Sequence, residues 1–344
     1  MQVELDREEL CYTGRIDMRN PSKPEFVFPA SSLRFRFFGR TASVRITNRR
    51  CYWKSVVGAI VDGAQMRFEL ADEGETVITL LWEEEDHEHD ILLFKRMDAC
   101  HEFVLEALEL SEDSRLLQPP DRPRRRIEVY GDSVSAGEVS EAVHYIGKED
   151  PEHDGEYSNS WYSYAWLTAR KLGAEIHDIA QGGIALMDGT GWFHAPDHIG
   201  METAWDKIHY NPDQGEMTDW DFSRYTPQAV IVAIGQNDSS PEDYMKADYD
   251  SGKARLWRDR YRTFIQKLRA QYPQAYIICC TTLLVHDEAW DRSIGQVCSE
   301  LQDEKVSHYV FRRNGRGTPG HLRIPEAEEM AEELAAYIER LGIW

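Results

Sequence analysis

Leu33-Arg34-Phe35-Arg36-Phe37 alternates apolar and basic side chains, and Val44-Arg45-Ile46 continues the same period of two. A strand points successive side chains to opposite faces, so this pattern predicts strands with one covered face and one solvated face. The apolar run 56–61 then meets Asp62-Gly63, a pair suited to a two-residue hairpin turn, ahead of Met66-Arg67-Phe68-Glu69-Leu70. Further short strands are expected over 76–82, 91–94 and 103–110, and no helical period interrupts them. Regular short strands with turn residues between them predict an antiparallel β-sandwich over residues 1–120.

Residues 116–126 (LLQPPDRPRRR) hold three prolines and four arginines and read as a linker between domains. Beyond them the period changes. Buried strands are expected at 127–130, 175–179, 229–234 and 275–280, separated by helices that include 164–172, closed by Gly173, and 253–271. The chain ends on an amphipathic helix over 325–341, where Ala327, Met330, Leu334, Ile338 and Leu341 step by three and four. Strands alternating with helices predict a parallel α/β sheet covered on both faces over residues 121–344. Ligands of such sheets bind beyond the carboxyl ends of the strands.

The 344 residues carry 61 Asp+Glu against 39 Lys+Arg, a formal net charge of -22. That surface repels phosphate backbones and anionic lipid headgroups, which argues against nucleic acid and membrane as partners and favours a neutral small molecule. No stretch reaches the ~18 apolar residues of a membrane span. The first ten residues include Glu4, Asp6, Arg7, Glu8 and Glu9, where a signal peptide would need an unbroken apolar run, so a cytoplasmic location is expected. The six cysteines show no CxxC spacing and are expected as reduced thiols. Homo-oligomerisation is left open.

The polar residues that stand out follow the predicted strands. Gly131-Asp132-Ser133 comes after the first, Gln181-Gly182-Gly183 after the second and Gly235-Gln236-Asn237-Asp238 after the third, while His321 precedes the last helix. A serine hydroxyl becomes a nucleophile when an imidazole takes its proton. The oxyanion it creates needs fixed donors, such as backbone N–H groups or an Asn amide, each worth roughly 3 kcal/mol. Gly131 is expected to allow a sharp turn, and Gly182 or Gly183 to offer an uncovered N–H. The simpler alternatives are a helix N-cap for Ser133 and a turn residue for Asn237.

Other histidines compete for the role of base. His87, His89 and His101 lie in the sandwich, and Asp86-His87-Glu88-His89-Asp90 reads as a solvated charged turn rather than a metal site. His153, His194, His198, His209 and His286 lie in long loops and remain candidates beside His321. Trp161, Trp192, Phe193 and Trp290 are candidate apolar surfaces for a sugar ring or an acyl chain, with Trp192 and Trp290 taken as substrate-binding.

Gly131-Asp132-Ser133, Gly182, Gly235-Gln236-Asn237-Asp238 and His321 resemble, in order and spacing, the four motif blocks of the SGNH (GDSL) hydrolases. Phe35-Arg36-Phe37-Phe38-Gly39, Val61-Asp62-Gly63 and Phe94-Lys95-Arg96 further resemble carbohydrate esterase family 2, in which a jelly-roll domain precedes an SGNH domain. The resemblance covers nearly the whole chain. It implies a flavodoxin-like hydrolase domain, with Ser133 as nucleophile and His321 as base. It also implies an oxyanion hole from the Ser133 N–H, the Gly182 N–H and Asn237, and no metal or organic cofactor. The implied reaction removes acetyl groups from acetylated xylo-oligosaccharides or related sugars. One position departs from the pattern: most SGNH enzymes carry an Asp three residues before the His, and here it is Thr318. A backbone carbonyl is one alternative for orienting His321. The rival readings are an SGNH esterase or thioesterase acting on longer acyl groups, and a carbohydrate-binding protein with a decayed site.

Overall fold

In the computed structural model, which describes residues 1–152 and 154–344, the alternating segments form a single antiparallel sheet of ten strands. Its main path runs Ile16–Asp17, Glu25–Phe26, His101–Leu110, Ser32–Arg50, Glu73–Lys95, Val56–Val61, Ala64–Glu69. Leu33, Phe35 and Phe37 are fully buried while Arg34 between them is exposed, as the period of two requires. The strand Ser32–Arg50 pairs along its length with Glu73–Lys95, and its second half also pairs with His101–Leu110. Register shifts at Gly39/Thr41 and Ala42/Ser43 break the ladder midway, and such bulges bend a strand. A Cβ on Gly39 would stand 2.1 Å from the Ser114 hydroxyl, which keeps glycine at the bend. The sheet closes over one core that includes Phe26, Phe35, Phe37, Ile46, Leu93 and Phe103. Each large side chain buried there contributes roughly 1.5–3 kcal/mol.

The acidic segment 86–90 is not a turn: it lies inside the strand Glu73–Lys95. Cross-strand pairing explains the difference, since Arg34 and Arg36 meet Asp90 and Glu88 at 2.6 and 3.1 Å. His89 turns inward and places Nδ1 2.7 Å from Asp62 Oδ2.

Two compact units are present. Met1–Arg122 form the first together with Asp154–Glu156 and Ile208–Thr218, and the remaining described residues form the second. One link between Ile208–Thr218 and its unit is ionic. His209 places Nε2 3.0 Å from Asp17 and Nδ1 3.2 Å from Glu102. Arg49 pairs with both Glu102 and Glu25, and Arg19 with Asp17. His209 is therefore a structural cation, not a base. Burial pulls its pKa down, but the hydrogen bonds to Asp17 and Glu102 outweigh that and raise it to about 9. A raised histidine contributes stability fully below its unfolded value near 6.5 and loses it as pH rises through 9. Thermal denaturation between pH 6 and 10 is expected to show a loss of roughly 2 kcal/mol in the native protein, with little of that loss in His209→Gln. Parallel pH profiles for the two proteins would remove the imidazolium from this account.

The second unit holds five parallel strands in the spatial order Ala174–Ala180, Arg125–Gly131, Ala229–Ala233, Tyr276–Cys280, Val306–His308. In chain order that is 2-1-3-4-5, the flavodoxin-like winding. The runs 127–131 and 229–233 are wholly buried, as expected of strands covered on both faces. The helices Tyr164–Leu172, Gly252–Gln271 and Ile324–Leu341 are where periodicity predicts them, within a residue. Gly173 and Gly342 end two of them in the left-handed conformation. Glu288–Leu301 and the strand Val306–His308 were not anticipated. No helix among the described residues is long and apolar enough to cross a membrane.

In the 2-1-3-4-5 order, the direction in which strands are added to the sheet reverses between the first and third strands, and the crevice at their carboxyl ends is where such sheets bind ligands. Ser133 follows the first strand and Asn237 the third.

Candidate active site

Asp132, not Ser133, caps the turn Ser133–Ala136: its Oδ1 accepts the Val134 N–H at 3.0 Å. Ser133 is thus the first residue inside the turn, 3% exposed, and its hydroxyl has no capping duty. Gly131 is still in the strand, and a Cβ there would fall 2.0 Å from the Ser135 hydroxyl. Its glycine is explained by that close approach rather than by a sharp turn at the residue itself.

Asp132 also joins two strand ends. Its Oδ2 accepts the Gln236 amide at 2.7 Å and the Asn237 amide at 3.3 Å. The Gln236 carbonyl in turn accepts the Thr282 N–H at 3.1 Å, which reaches the end of the fourth strand. Burial raises the Asp132 pKa to about 6 in spite of the donors from Val134 and Gln236. Asn237 gives its amide hydrogens to Asp132 and to the Ile184 carbonyl, the latter at 3.0 Å.

After the second strand, Gln181–Ile184 form a turn in which Ile184 N–H donates to Gln181 O. Gly183 takes the left-handed position at φ 70°, and its carbonyl accepts the N–H groups of Trp192 and Phe193. A Cβ at Gly183 would lie 2.7 Å from Trp192 Cβ. Backbone geometry therefore explains Gly183 and leaves Gly182 as the candidate donor. Asp238, buried and raised by that burial to about 6, fixes the same loop by accepting the N–H groups of Leu186 and Met187.

His321 approaches from the head of the last helix. Its Nδ1 lies 2.7 Å from Asp150 Oδ2, and its own N–H donates to the same carboxylate. Arg323 meets the other oxygen, Oδ1, at 2.8 Å. Burial raises the Asp150 pKa, but the bonds to His321 and Arg323 overcome it and hold the carboxyl at about 2. Thr318 Oγ1 accepts the Gly147 N–H at 2.9 Å, anchoring the loop that carries Asp150. Gly320, at φ 82°, leaves the room: a Cβ there would stand 2.6 Å from the Asp150 carboxylate.

The other ring nitrogen of His321, Nε2, lies 3.3 Å from Glu138 Oε2. Glu138 N–H donates to the Ser133 carbonyl at 3.0 Å, and Ile324 N–H to the Ser140 carbonyl at 3.0 Å. The serine turn and the imidazole are thus neighbours across one residue.

A model of the GDSL-like Lipase/Acylhydrolase family matches residues 129–305, more than half of the chain. The chain belongs to that family. The model described as Carbohydrate esterase 2 N-terminal matches residues 12–120. Cellulase/esterase CelE of Acetivibrio thermocellus is 29% identical over 98% of this chain and 40% of its own length. The acetylxylan esterase / glucomannan deacetylase of Cellvibrio japonicus is 25% identical over 96% of this chain and 88% of its own. The chain thus spans less than half of CelE and most of the Cellvibrio enzyme. Among solved structures, a family two carbohydrate esterase from Clostridium thermocellum in complex with cellohexaose superposes with a TM-score of 0.81 at 27% identity, covering 97% of this chain and all of that one.

The remaining candidates of this GDSL-family chain fall elsewhere. His286 is held between the Leu284 carbonyl and Asp291, with Nε2 2.8 Å from Asp291 Oδ2. His194 and His198 sit at positive φ in the loop after Trp192, and His153 lies outside the described residues. Trp290 was expected to bind substrate, but it is fully buried against Trp257 and Tyr244, and its indole N–H donates to Asp243. A covered ring offers no face to a ligand. Trp161 carries the Arg170 guanidinium 3.6 Å from its ring centre, and Phe193 is buried. Trp192 is 68% exposed, on the loop that closes over Gly183. Sequence reading missed Asp150 and Glu138. The traces of Asp150 in the sequence are a glycine just before the histidine and a missing acid at 318.

Proposed function

We propose that this chain is a carbohydrate acetyl esterase acting on acetylated xylo-oligosaccharides or related sugars. The observation that carries the reading is His321, with Nδ1 fixed by Asp150 and Nε2 beside Glu138, whose own N–H bonds the Ser133 carbonyl. The names of the Acetivibrio and Cellvibrio relatives support the substrate class.

Ser133 Oγ forms a bond to the acetyl carbon while its proton moves to His321 Nε2 and the carbonyl electron pair moves onto oxygen. The N–H groups of Ser133 and Gly182 and the Asn237 amide hold that oxygen. Asn237 exchanges the neutral Ile184 carbonyl for the charged oxyanion, and a charge-assisted bond is roughly twice as strong as a neutral one. Collapse breaks the bond to the sugar oxygen, which takes the proton from Nε2. Water then repeats the sequence on the acetyl-serine. Trp192 offers a flat apolar face on which a sugar ring packs.

The test is acetate release from acetylated xylo-oligosaccharides, set beside acetyl and octanoyl nitrophenyl esters. The expected result is acetate release from the sugar and at least tenfold lower kcat/KM on octanoyl than on acetyl esters. Activity that rises with acyl length and leaves acetylated sugar intact would replace this reading with a lipid esterase or thioesterase.

A further inference from the structure

Both ring nitrogens of His321 face carboxylates. Asp150 takes Nδ1 at 2.7 Å, and Glu138 Oε2 stands 3.3 Å from Nε2. Nε2 is the atom that must accept the serine proton. A hydroxyl, a base and one orienting acid complete the reaction proposed above, so a second carboxylate at that nitrogen is surplus to it. Glu138 is 6% exposed, which makes its position a deliberate placement of charge rather than a solvated face.

A neutral imidazole that donates Nδ1–H to Asp150 presents a lone pair at Nε2. A carboxylate oxygen at 3.3 Å from that lone pair is repelled by it, and the contact becomes attractive only with a proton between the two atoms. Glu138, just past the serine turn, and Asp150 contact the ring, Arg323 pairs with Asp150 from the head of the last helix, and buried Asp132 acts on the ring through space. Arg323 and the imidazole share Asp150, and Asp132 is engaged by Val134, Gln236 and Asn237.

We infer that Glu138 is a positioning residue that shares one proton with His321 Nε2 in the resting enzyme and thereby sets the pH at which Ser133 can be activated. The inference rests on the Ser133–His321 reading. Below the shared pKa, Nε2 already carries its proton and Ser133 has no base. Above it, that proton has left to solvent, and the serine proton moves to Nε2 as the bond to the acetyl carbon forms. The imidazolium produced is the same species the two carboxylates hold. It passes its proton to the sugar oxygen as the acyl bond breaks, so Glu138 gains and loses nothing over the cycle. Glu138 thus stabilises the charge that develops on the base, at the cost of moving the acid limb of the pH–rate profile toward neutrality.

The experiment reads the His321 ring by NMR titration in Ser133→Ala, with and without Glu138→Gln, and the acid limb of kcat/KM in Glu138→Gln with Ser133 intact. The expected result is a midpoint lower by roughly one pH unit without the carboxylate and a limb displaced in the same direction. Glu138→Asp is expected to recover part of both shifts, which a merely structural role would not do. If the amide variant fails to fold, Glu138→Ala takes its place. An unchanged His321 midpoint in the folded variant overturns the inference even when the enzyme is a sugar esterase. The titration needs no turnover, so it also judges the Glu138 contact if the substrate panel rejects that activity.

Discussion

Ser133→Ala is expected to lower kcat for acetate release by about five orders of magnitude while leaving the melting temperature within a few degrees. The size follows from removing the atom that forms the acyl bond; what remains is the acceleration given by binding and the oxyanion donors alone. The stability follows from the local structure. Asp132 supplies the cap, so the serine side chain holds nothing together, and alanine is at home in the first turn of a helix. No neighbouring hydroxyl replaces it. Ser135 Oγ packs over Gly131 and bonds the Tyr164 hydroxyl at 2.9 Å, and Ser140 Oγ donates to the Asn159 carbonyl. Measured release of acetate from acetylated xylo-oligosaccharides, with circular dichroism as the control for folding, checks both halves. Retention of more than about one per cent of the activity in a folded Ser133→Ala protein would place the nucleophile elsewhere.

The contrast with Asp132 separates chemistry from architecture. Asp132 is fully buried and receives bonds from Val134, Gln236 and Asn237, so its removal unties the ends of two strands. Ser133 sits one residue on and touches none of these bonds. A motif read as three letters thus divides into a glycine for close packing, an aspartate for structure and a serine with no capping duty.

That division shows what sequence reasoning could reach. The parallel sheet was legible because 229–233 and 276–280 are continuous apolar runs and helical periods fall between the strands, although Glu128, His177 and Asp178 interrupt the first two strands and are buried with them. The positions of Ser133 and Asn237 followed from the sheet, since residues just past buried strands fall on the binding edge. Val306–His308 was missed because three residues with serine and histidine carry no such run. The strand Glu73–Lys95 looked broken at its acidic centre, because the arginines that neutralise it lie more than fifty residues away. Trp290 was misjudged for a related reason: a tryptophan in the first turn of an unrecognised helix looks like a loop residue, and only the packing of Trp257 against it shows the core.

Asp150 was hidden more completely. It lies among Glu149, Glu152 and Asp154 in a polar loop, 171 residues before the histidine it serves, and nothing local distinguishes it from its neighbours. Three features elsewhere are fitted to it. Thr318 binds the loop where most relatives of the SGNH pattern would place the acid, Gly320 clears the space, and Arg323 holds the second oxygen.

Asp150→Asn is therefore expected to reduce kcat by about a thousandfold with little change in KM. Asp150 accepts from Nδ1–H, which leaves the lone pair on Nε2 for the serine proton. An asparagine offers that nitrogen either its amide N–H or its carbonyl. With the N–H turned inward, Nδ1 becomes the acceptor, the ring proton moves to Nε2, and the base is blocked in the wrong tautomer. With the carbonyl inward the tautomer survives, but the negative charge that stabilises the imidazolium is gone. Either way the loss appears after substrate is bound, which is why kcat carries it. Asp150→Ala removes the acceptor altogether and leaves Arg323 unpaired with it, so a comparable loss together with reduced thermal stability is expected there. Steady-state kinetics on acetyl esters of both variants decide the matter. Near-native kcat in Asp150→Asn would mean that another acceptor orients the imidazole, and the backbone carbonyl considered from the sequence would regain its place.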